Sequence, residues 1–157
     1  MNTAATIPPR VAVIILNWNG AEMLRRFLPA VIATTPVEAA EIIVADNGST
    51  DDSLEVLHKE FPSIRVIELG DNYGFAEGYN RAIAAVDHDY VVLLKSDVAP
   101  ADHWIEPLTA FMESHLDCGA CQPKIRSYLA PEKFEYAGAA GGFLDRNGYP
   151  YCRGRIS

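Results

Sequence analysis

Val11-Ala-Val-Ile-Ile-Leu16 is an unbroken apolar run rich in β-branched residues, and the polar Asn17-Trp-Asn-Gly20 follows it directly. A strand with one wet face alternates apolar and polar side chains. An unbroken run reads instead as a strand buried on both faces, which belongs in a parallel sheet covered by helices on either side. Similar runs recur at Ile42-Ile-Val-Ala45, Ile64-Arg-Val-Ile-Glu-Leu69 and Tyr90-Val-Val-Leu-Leu94.

Helical patterns separate them. Ala21 to Thr34 gathers Met23, Leu24, Phe27, Leu28, Val31 and Ile32 into one stripe, with Pro29 predicting a kink or break. Asp51 to Phe61 puts Leu54, Leu57 and Phe61 on one face, with Ser49 or Thr50 as N-cap and Asp51-Asp52 set against the helix dipole. Glu77 to Val86 gives a third helix and Trp104 to Ser114 a fourth. Strand and helix alternate, which predicts an α/β fold: a Rossmann-like, mostly parallel, doubly wound sheet flanked by helices. After Pro123 the pattern changes, because Gly138-Ala-Ala-Gly-Gly142 and Asp145-Arg-Asn-Gly148 are turn chemistry around Phe143-Leu144 and suit a hairpin-like C-terminal segment. Residues 1–10, with Pro8-Pro9, read as a flexible lead-in, residues 11–125 as the α/β domain, and residues 126–157 as a separate closing region.

Composition narrows the function classes. The 157 residues carry 21 acidic against 13 basic side chains, a formal net charge of −8, and the 49% hydrophobic content is that of an ordinary folded domain. A chain so charged, with no Lys/Arg cluster, is poorly suited to nucleic acid, whose affinity rests on neutralising phosphates. No apolar stretch approaches the ~20 residues of a membrane span, and residues 1–10 lack the pattern of a secretory leader, so a soluble, cytoplasmic protein is expected. The three cysteines make no disulfide framework, and Cys118-Gly-Ala-Cys121, with no second pair to complete a zinc site, is expected to be two small core side chains.

In a doubly wound sheet, ligands sit beyond the carboxyl ends of the strands. Those ends are Asn17-Trp-Asn-Gly20, Asp46-Asn-Gly-Ser-Thr50, Gly70-Asp-Asn-Tyr-Gly74 and Lys95-Ser-Asp97. The G-x-G-x-x-G turn of a dinucleotide site is missing after the first run, where Gly20 stands alone. A diphosphate without a glycine nest can be neutralised by a divalent cation held on carboxylate oxygens, and Asp97 stands where it could hold one. Asp46 stands where a carboxylate could accept hydrogen bonds from a ribose hydroxyl or a base imide. Each aspartate would also suit a plain turn.

Taken together, Val13-Ile-Ile-Leu-Asn-Trp-Asn-Gly20, Ile43-Val-Ala-Asp-Asn-Gly-Ser-Thr-Asp51, Asn72-Tyr-Gly-Phe-Ala-Glu-Gly-Tyr-Asn80 and Val92-Leu-Leu-Lys-Ser-Asp97 resemble, in order and approximate spacing, a family 2 glycosyltransferase of the GT-A fold. The Asn17-Trp-Asn-Gly20 opening and the closing Glu135-Tyr-Ala-Gly138 and Gly148-Tyr-Pro-Tyr-Cys-Arg-Gly-Arg155 are similar to the rhamnosyltransferase-type subgroup, enzymes of cell-surface polysaccharide biosynthesis. The resemblance implies that Asn17 and Asn19 line the nucleoside pocket, that Asp46 contacts the base or ribose, and that Asn72, Gly74 and Asn80 shape a second wall. It implies that Ser96 and Asp97 meet the diphosphate, with Asp97 as the last aspartate of a DxD-like motif holding magnesium or manganese. The first position of that motif is usually Asn or Asp in the subgroup, whereas this chain has Lys95. An ammonium cannot ligate a cation, so Lys95 either points away or supplies part of the charge that a metal would bring.

The implied partners are a nucleoside diphosphate sugar and a glycan or lipid-linked acceptor, with the protein in the cytoplasm or at the inner face of the membrane. In the family the chain continues into an acceptor-binding half that supplies the catalytic base of an inverting transfer. Against that pattern this chain reads as a truncated donor half. Residues 126–157 would begin the acceptor side, and surface near Gly138 to Phe143 would be left open to self-association. Glu77, Asp102 and Asp145 remain as carboxylates, each better suited to a helix start, a turn or a hairpin. Two other readings stand beside this one: a nucleotide-sugar binding module without turnover, and a receiver-like phosphoryl acceptor, which the placement of Lys95 and Asp97 on one strand end disfavours.

Overall fold

The structure, a computed structural model, describes residues 10–135 and 142–152. The elements run β1 (Val11–Asn17), α1 (Ala21–Thr34), β2 (Glu41–Asp46), α2 (Ser53–Glu60), β3 (Arg65–Glu68), α3 (Gly74–Ala84), β4 (Tyr90–Leu94), α4 (Ile105–Ser114), β5 (Gly142–Leu144) and β6 (Pro150–Cys152). The chain divides into two compact units, one ending at Glu106 and the other beginning at Pro107.

In the first unit, four strands form one sheet in the order β3-β2-β1-β4, and every pairing is parallel. The apolar run at the start of the chain is its centre. Val11, Val13 and Ile15 point to one face, packing with Leu24, Leu28 and Val31 of α1 and Val56 and Leu57 of α2. Ala12 and Ile14 point to the other face, with Ile43, Ala45 and the α3 residues Tyr79 and Ala82. The unbroken run is thus explained by burial on both faces. Each such aliphatic side chain contributes about 1.5–3 kcal/mol on full burial.

Pro29 does not break α1, which is continuous from Ala21 to Thr34. Pro29 lies on the exposed face, where water can satisfy the Arg25 carbonyl that the missing N–H would have bonded. Met23 and Ile32 flank the buried stripe and remain partly exposed, at 40% and 37%. The start expected for α2 at Asp51 is corrected to Ser53, because the Ser49 and Asp51 side chains are drawn into contacts across the strand ends, described below, and Asp52 takes the N-cap position. α3 starts earlier than expected, at Gly74. There Asn72 Oδ1 accepts the Gly74 N–H at 2.8 Å and Asn47 Oδ1 accepts the Tyr73 N–H at 3.1 Å, so two asparagines outside the helix satisfy donors at its entry.

In the second unit, β5 and β6 pair antiparallel, with Phe143 opposite Tyr151, which is the expected hairpin. Its turn is closed by Asp145 Oδ1, which accepts from the N–H groups of Asn147 at 2.8 Å and Tyr149 at 2.9 Å, and by Gly148 at φ +83°. The core placement expected for the paired cysteines is corrected: Cys118 is half-buried and Cys121 exposed. The segment around them has no apolar periodicity to draw it inward. Residues 136–141, including much of the glycine-rich stretch, and the lead-in up to residue 9 lie outside the described residues.

Candidate functional site

Parallel pairing brings all four strand ends named above to the carboxyl edge of the sheet. Asn17 and Asp46 face each other at the last rung of the β1–β2 pairing. Both are almost fully buried, at 1% and 2% exposure, so their polar atoms must find partners within the protein. Asn17 Nδ2 donates to Asp46 Oδ1 at 3.0 Å and to Ser49 Oγ at 3.2 Å. The Ser49 hydroxyl donates to Asp46 Oδ1 at 2.6 Å, and the Ser49 N–H donates to Asp46 Oδ2 at 2.9 Å. Asp46 therefore organises both strand ends from below. Asn17 Oδ1, buried in the same network, accepts no hydrogen bond from the described residues.

Asn19 adopts φ +51°, a left-handed conformation that asparagine tolerates better than most residues. Its Oδ1 accepts the Thr50 N–H at 2.7 Å, and its own N–H donates to Ser49 Oγ at 2.9 Å. The following turn is stitched in the same way. Asp51 Oδ2 accepts the Ala21 N–H at 3.1 Å, Asp51 Oδ1 accepts the Ser53 N–H at 3.0 Å, and Ser53 Oγ accepts the Gly20 N–H at 3.1 Å. The loop after β2 thus caps the start of α1 with its own side chains. Burial pushes the Asp51 carboxyl upward, but these hydrogen bonds outweigh it and hold the group below its ordinary value.

On the other side, Asn47 joins the β2 end to the loop before α3. Its Nδ2 donates to Asn72 Oδ1 at 3.1 Å and to the Gly74 carbonyl at 3.1 Å. Gly48 lies so close beneath this loop that a Cβ there would stand 2.7 Å from Asp71 Cα, and its φ is +73°. Asn80 is exposed on α3, beyond this network. Asn47, Gly48, Ser49 and Asp51 are not among the site residues expected from the sequence, where Ser49 and Asp51 read only as helix-start residues. Their signal was the Asp-Asn-Gly-Ser-Thr-Asp run itself, in which small polar side chains can serve the backbone.

At the fourth strand end, Tyr79 is buried and its hydroxyl donates to the Leu94 carbonyl at 2.9 Å, fixing the last residue of β4. Burial pushes its phenol upward, so it remains a donor. Lys95 and Asp97 follow. Lys95 does not point away: its Nζ stands 3.3 Å from Asp97 Oδ2, with the two side chains 67% and 48% exposed. Ser96 between them is half-buried. This donor set is a poor fit for magnesium or manganese, which want several oxygens, because an ammonium already sits on the one carboxylate. Among the described residues no three Asp, Glu, His or Cys side chains converge on a point that could hold an ion. Of the remaining carboxylates, Glu77 is paired with Arg81 at 2.8 Å, and Asp145 closes its own turn. Among the described residues no helix is long and apolar enough to cross a membrane.

Three comparisons bear on this arrangement. A family model described as Glycosyl transferase family 2 matches residues 12–146. The chain is 26% identical over 125 residues to an N-acetylglucosaminyl-diphospho-decaprenol L-rhamnosyltransferase of Mycobacterium tuberculosis, a match covering 73% of this chain and 40% of the relative. It is 33% identical over 96 residues to the succinoglycan biosynthesis protein ExoU of Rhizobium meliloti, covering 59% of this chain and 28% of that protein. The chain thus spans well under half the length of these curated relatives. Among solved structures, it superposes on S. aureus TarS in complex with UDP-GlcNAc with a TM-score of 0.59 at 21% identity, over 75% of this chain and 38% of that one. A mannosyltransferase, PcManGT from Pyrobaculum calidifontis, in complex with GDP-Man and Mn2+, gives a TM-score of 0.58 at 22% identity, over 77% and 35%. At that identity the likeness is one of fold, and it agrees with the GT-A architecture expected from the strand-end motifs.

Proposed function

The chain belongs to glycosyl transferase family 2, and from that premise we propose that the unit ending at Glu106 binds the nucleoside diphosphate sugar of a glycosyl transfer. The observation that supports this most is the Asn17–Asp46–Ser49 network, which holds two strand ends in fixed register at the sheet edge where ligands of doubly wound folds bind. In this reading the nucleoside lies against the loops carrying Asn17, Asn19 and Asp46. Asp46 works by holding Asn17 and Ser49 in place, while Asn19 fixes the turn beside them. Asn72, Gly74 and Asn80 form the second wall, which Asn47 ties to the first. The diphosphate lies toward Ser96 and Asp97.

Such a pocket fixes the leaving group and leaves the anomeric carbon facing outward. Transfer then needs an acceptor hydroxyl held in line and a base within hydrogen-bond reach of its proton. Glu77 is held in an ion pair with Arg81 and Asp145 in its own turn, and the role proposed for this chain is donor binding. A glycan or lipid-linked acceptor fits the family. Titration calorimetry with UDP, dTDP and GDP tests the proposal: saturable binding of one of them to a single site is expected, and no heat from any of the three would overturn it.

A further inference from the structure

We infer that Lys95, and not a metal ion on Asp97, supplies the positive charge that receives the donor's diphosphate, an inference that rests on the donor-binding reading above. The charge pattern of the sheet edge leads to it. Across Asn17–Gly20, Asp46–Thr50, Leu69–Gly74 and Lys95–Asp97, the side chains include three carboxylates, Asp46, Asp71 and Asp97, and a single cation, Lys95; the Arg81 guanidinium, which lies 3.7 Å from the Tyr73 ring centroid, is paired with Glu77. In a chain of net charge −8, a diphosphate arriving at this edge meets a negative rim unless something local offsets it. Asp46 is buried and accepts three hydrogen bonds, which leaves Asp71 and Asp97 as the exposed carboxylates of these strand ends.

The geometry at β4 decides which cation does the offsetting. A divalent ion binding Asp97 would have to share that carboxylate with the Lys95 ammonium 3.3 Å away, two like charges on one anion. The ammonium already engages one oxygen of that carboxylate. Its flexible stem starts one residue beyond Leu94, whose carbonyl is anchored by Tyr79, so the base of the side chain is fixed while its exposed tip can swing between Asp97 and an incoming phosphate. Nζ offers three donors, enough to keep one on Asp97 and give others to phosphate oxygens. Asp97 then acts as a positioning residue, holding the ammonium over the site in the empty state.

Calorimetry with the best-bound of UDP, dTDP and GDP, run in EDTA and again in excess manganese, tests this. The parent should bind equally in both, within about threefold. Lys95→Ala should lose at least tenfold in EDTA, and Lys95→Asp, which places two carboxylates at the strand end, should bind only when manganese is present. Lys95 is exposed, and unchanged circular dichroism and melting would show both variants folded. Parent binding that disappears in EDTA, or a Lys95→Ala variant that binds as the parent does, would overturn the inference while leaving donor binding intact. A parent that binds no nucleotide in either buffer would overturn the donor reading itself, and this inference with it.

Discussion

Asn17 and Asp46 are register partners at the end of β1 and β2, and their side chains are joined by a hydrogen bond of 3.0 Å inside a site with almost no solvent access. Fold and proposed site therefore share the same atoms. Asp46→Ala takes this acceptor from Asn17 Nδ2, which keeps its bond to Ser49 Oγ, and from both donors of the half-buried Ser49, and a buried donor left unpartnered costs roughly 1–3 kcal/mol. The expected result is a loss of at least about 2 kcal/mol in urea unfolding, together with weaker nucleotide binding at temperatures where the variant is still folded.

Gly48 and Gly70 separate two costs of replacing glycine. Both have positive φ, +73° and +84°, but a Cβ at Gly48 meets the Asp71 backbone at 2.6 Å whereas at Gly70 it meets nothing within 4 Å. Gly70→Ala should lose about 1–2 kcal/mol, the left-handed penalty alone. Gly48→Ala should lose clearly more, since β2 and the loop before α3 must also part. Equal midpoints in chemical denaturation would contradict the close approach.

Tyr79→Phe removes the donor to the Leu94 carbonyl and keeps the ring in the core. A loss of about 0.5–1.5 kcal/mol is expected from thermal unfolding. Loosening the end of β4 should also raise the mobility of Lys95 and Asp97, visible as faster amide exchange there.

The lowered Asp51 carboxyl makes a pH prediction whose sign is fixed. The folded state favours the ionised form, so this group stabilises the protein above the ordinary carboxylate value, and that contribution is lost as pH falls through its lower folded value. Asp51→Asn should therefore be less stable than the parent at pH 7, and the gap should narrow on acidification below about pH 4. Melting curves of both proteins across that range check it.

How much of this was legible beforehand follows from which interactions are local. The strands of the sheet could be read because burial on two faces leaves an unbroken apolar run, as at Val11 to Leu16. Helix starts differ from the sequence pattern where a polar side chain serves a distant group instead of its own helix. Ser49 looks like an N-cap in sequence, but its hydroxyl binds Asp46; Asp51 looks like a dipole partner for α2, but one of its oxygens holds the start of α1. Pro29 was misleading because the exposure that makes it harmless depends on which side of α1 the sheet covers. Lys95 was visible as a departure from the family pattern. Its contact with Asp97 was not, since a lysine stem can point either way.

The strand order β3-β2-β1-β4 also bears on how the chain reaches this state. β1 is made first, yet one of its two neighbours is β4, with Val11 beside Tyr90 and Ile15 beside Leu94. Until those residues have left the ribosome, one long edge of the central strand has no partner, and closing that pairing means ordering a very long loop before any reward is gained. A nascent chain paused before Tyr90 would present the edge of β1 to whatever binds unpaired strands, so chaperone demand during synthesis should peak over that interval.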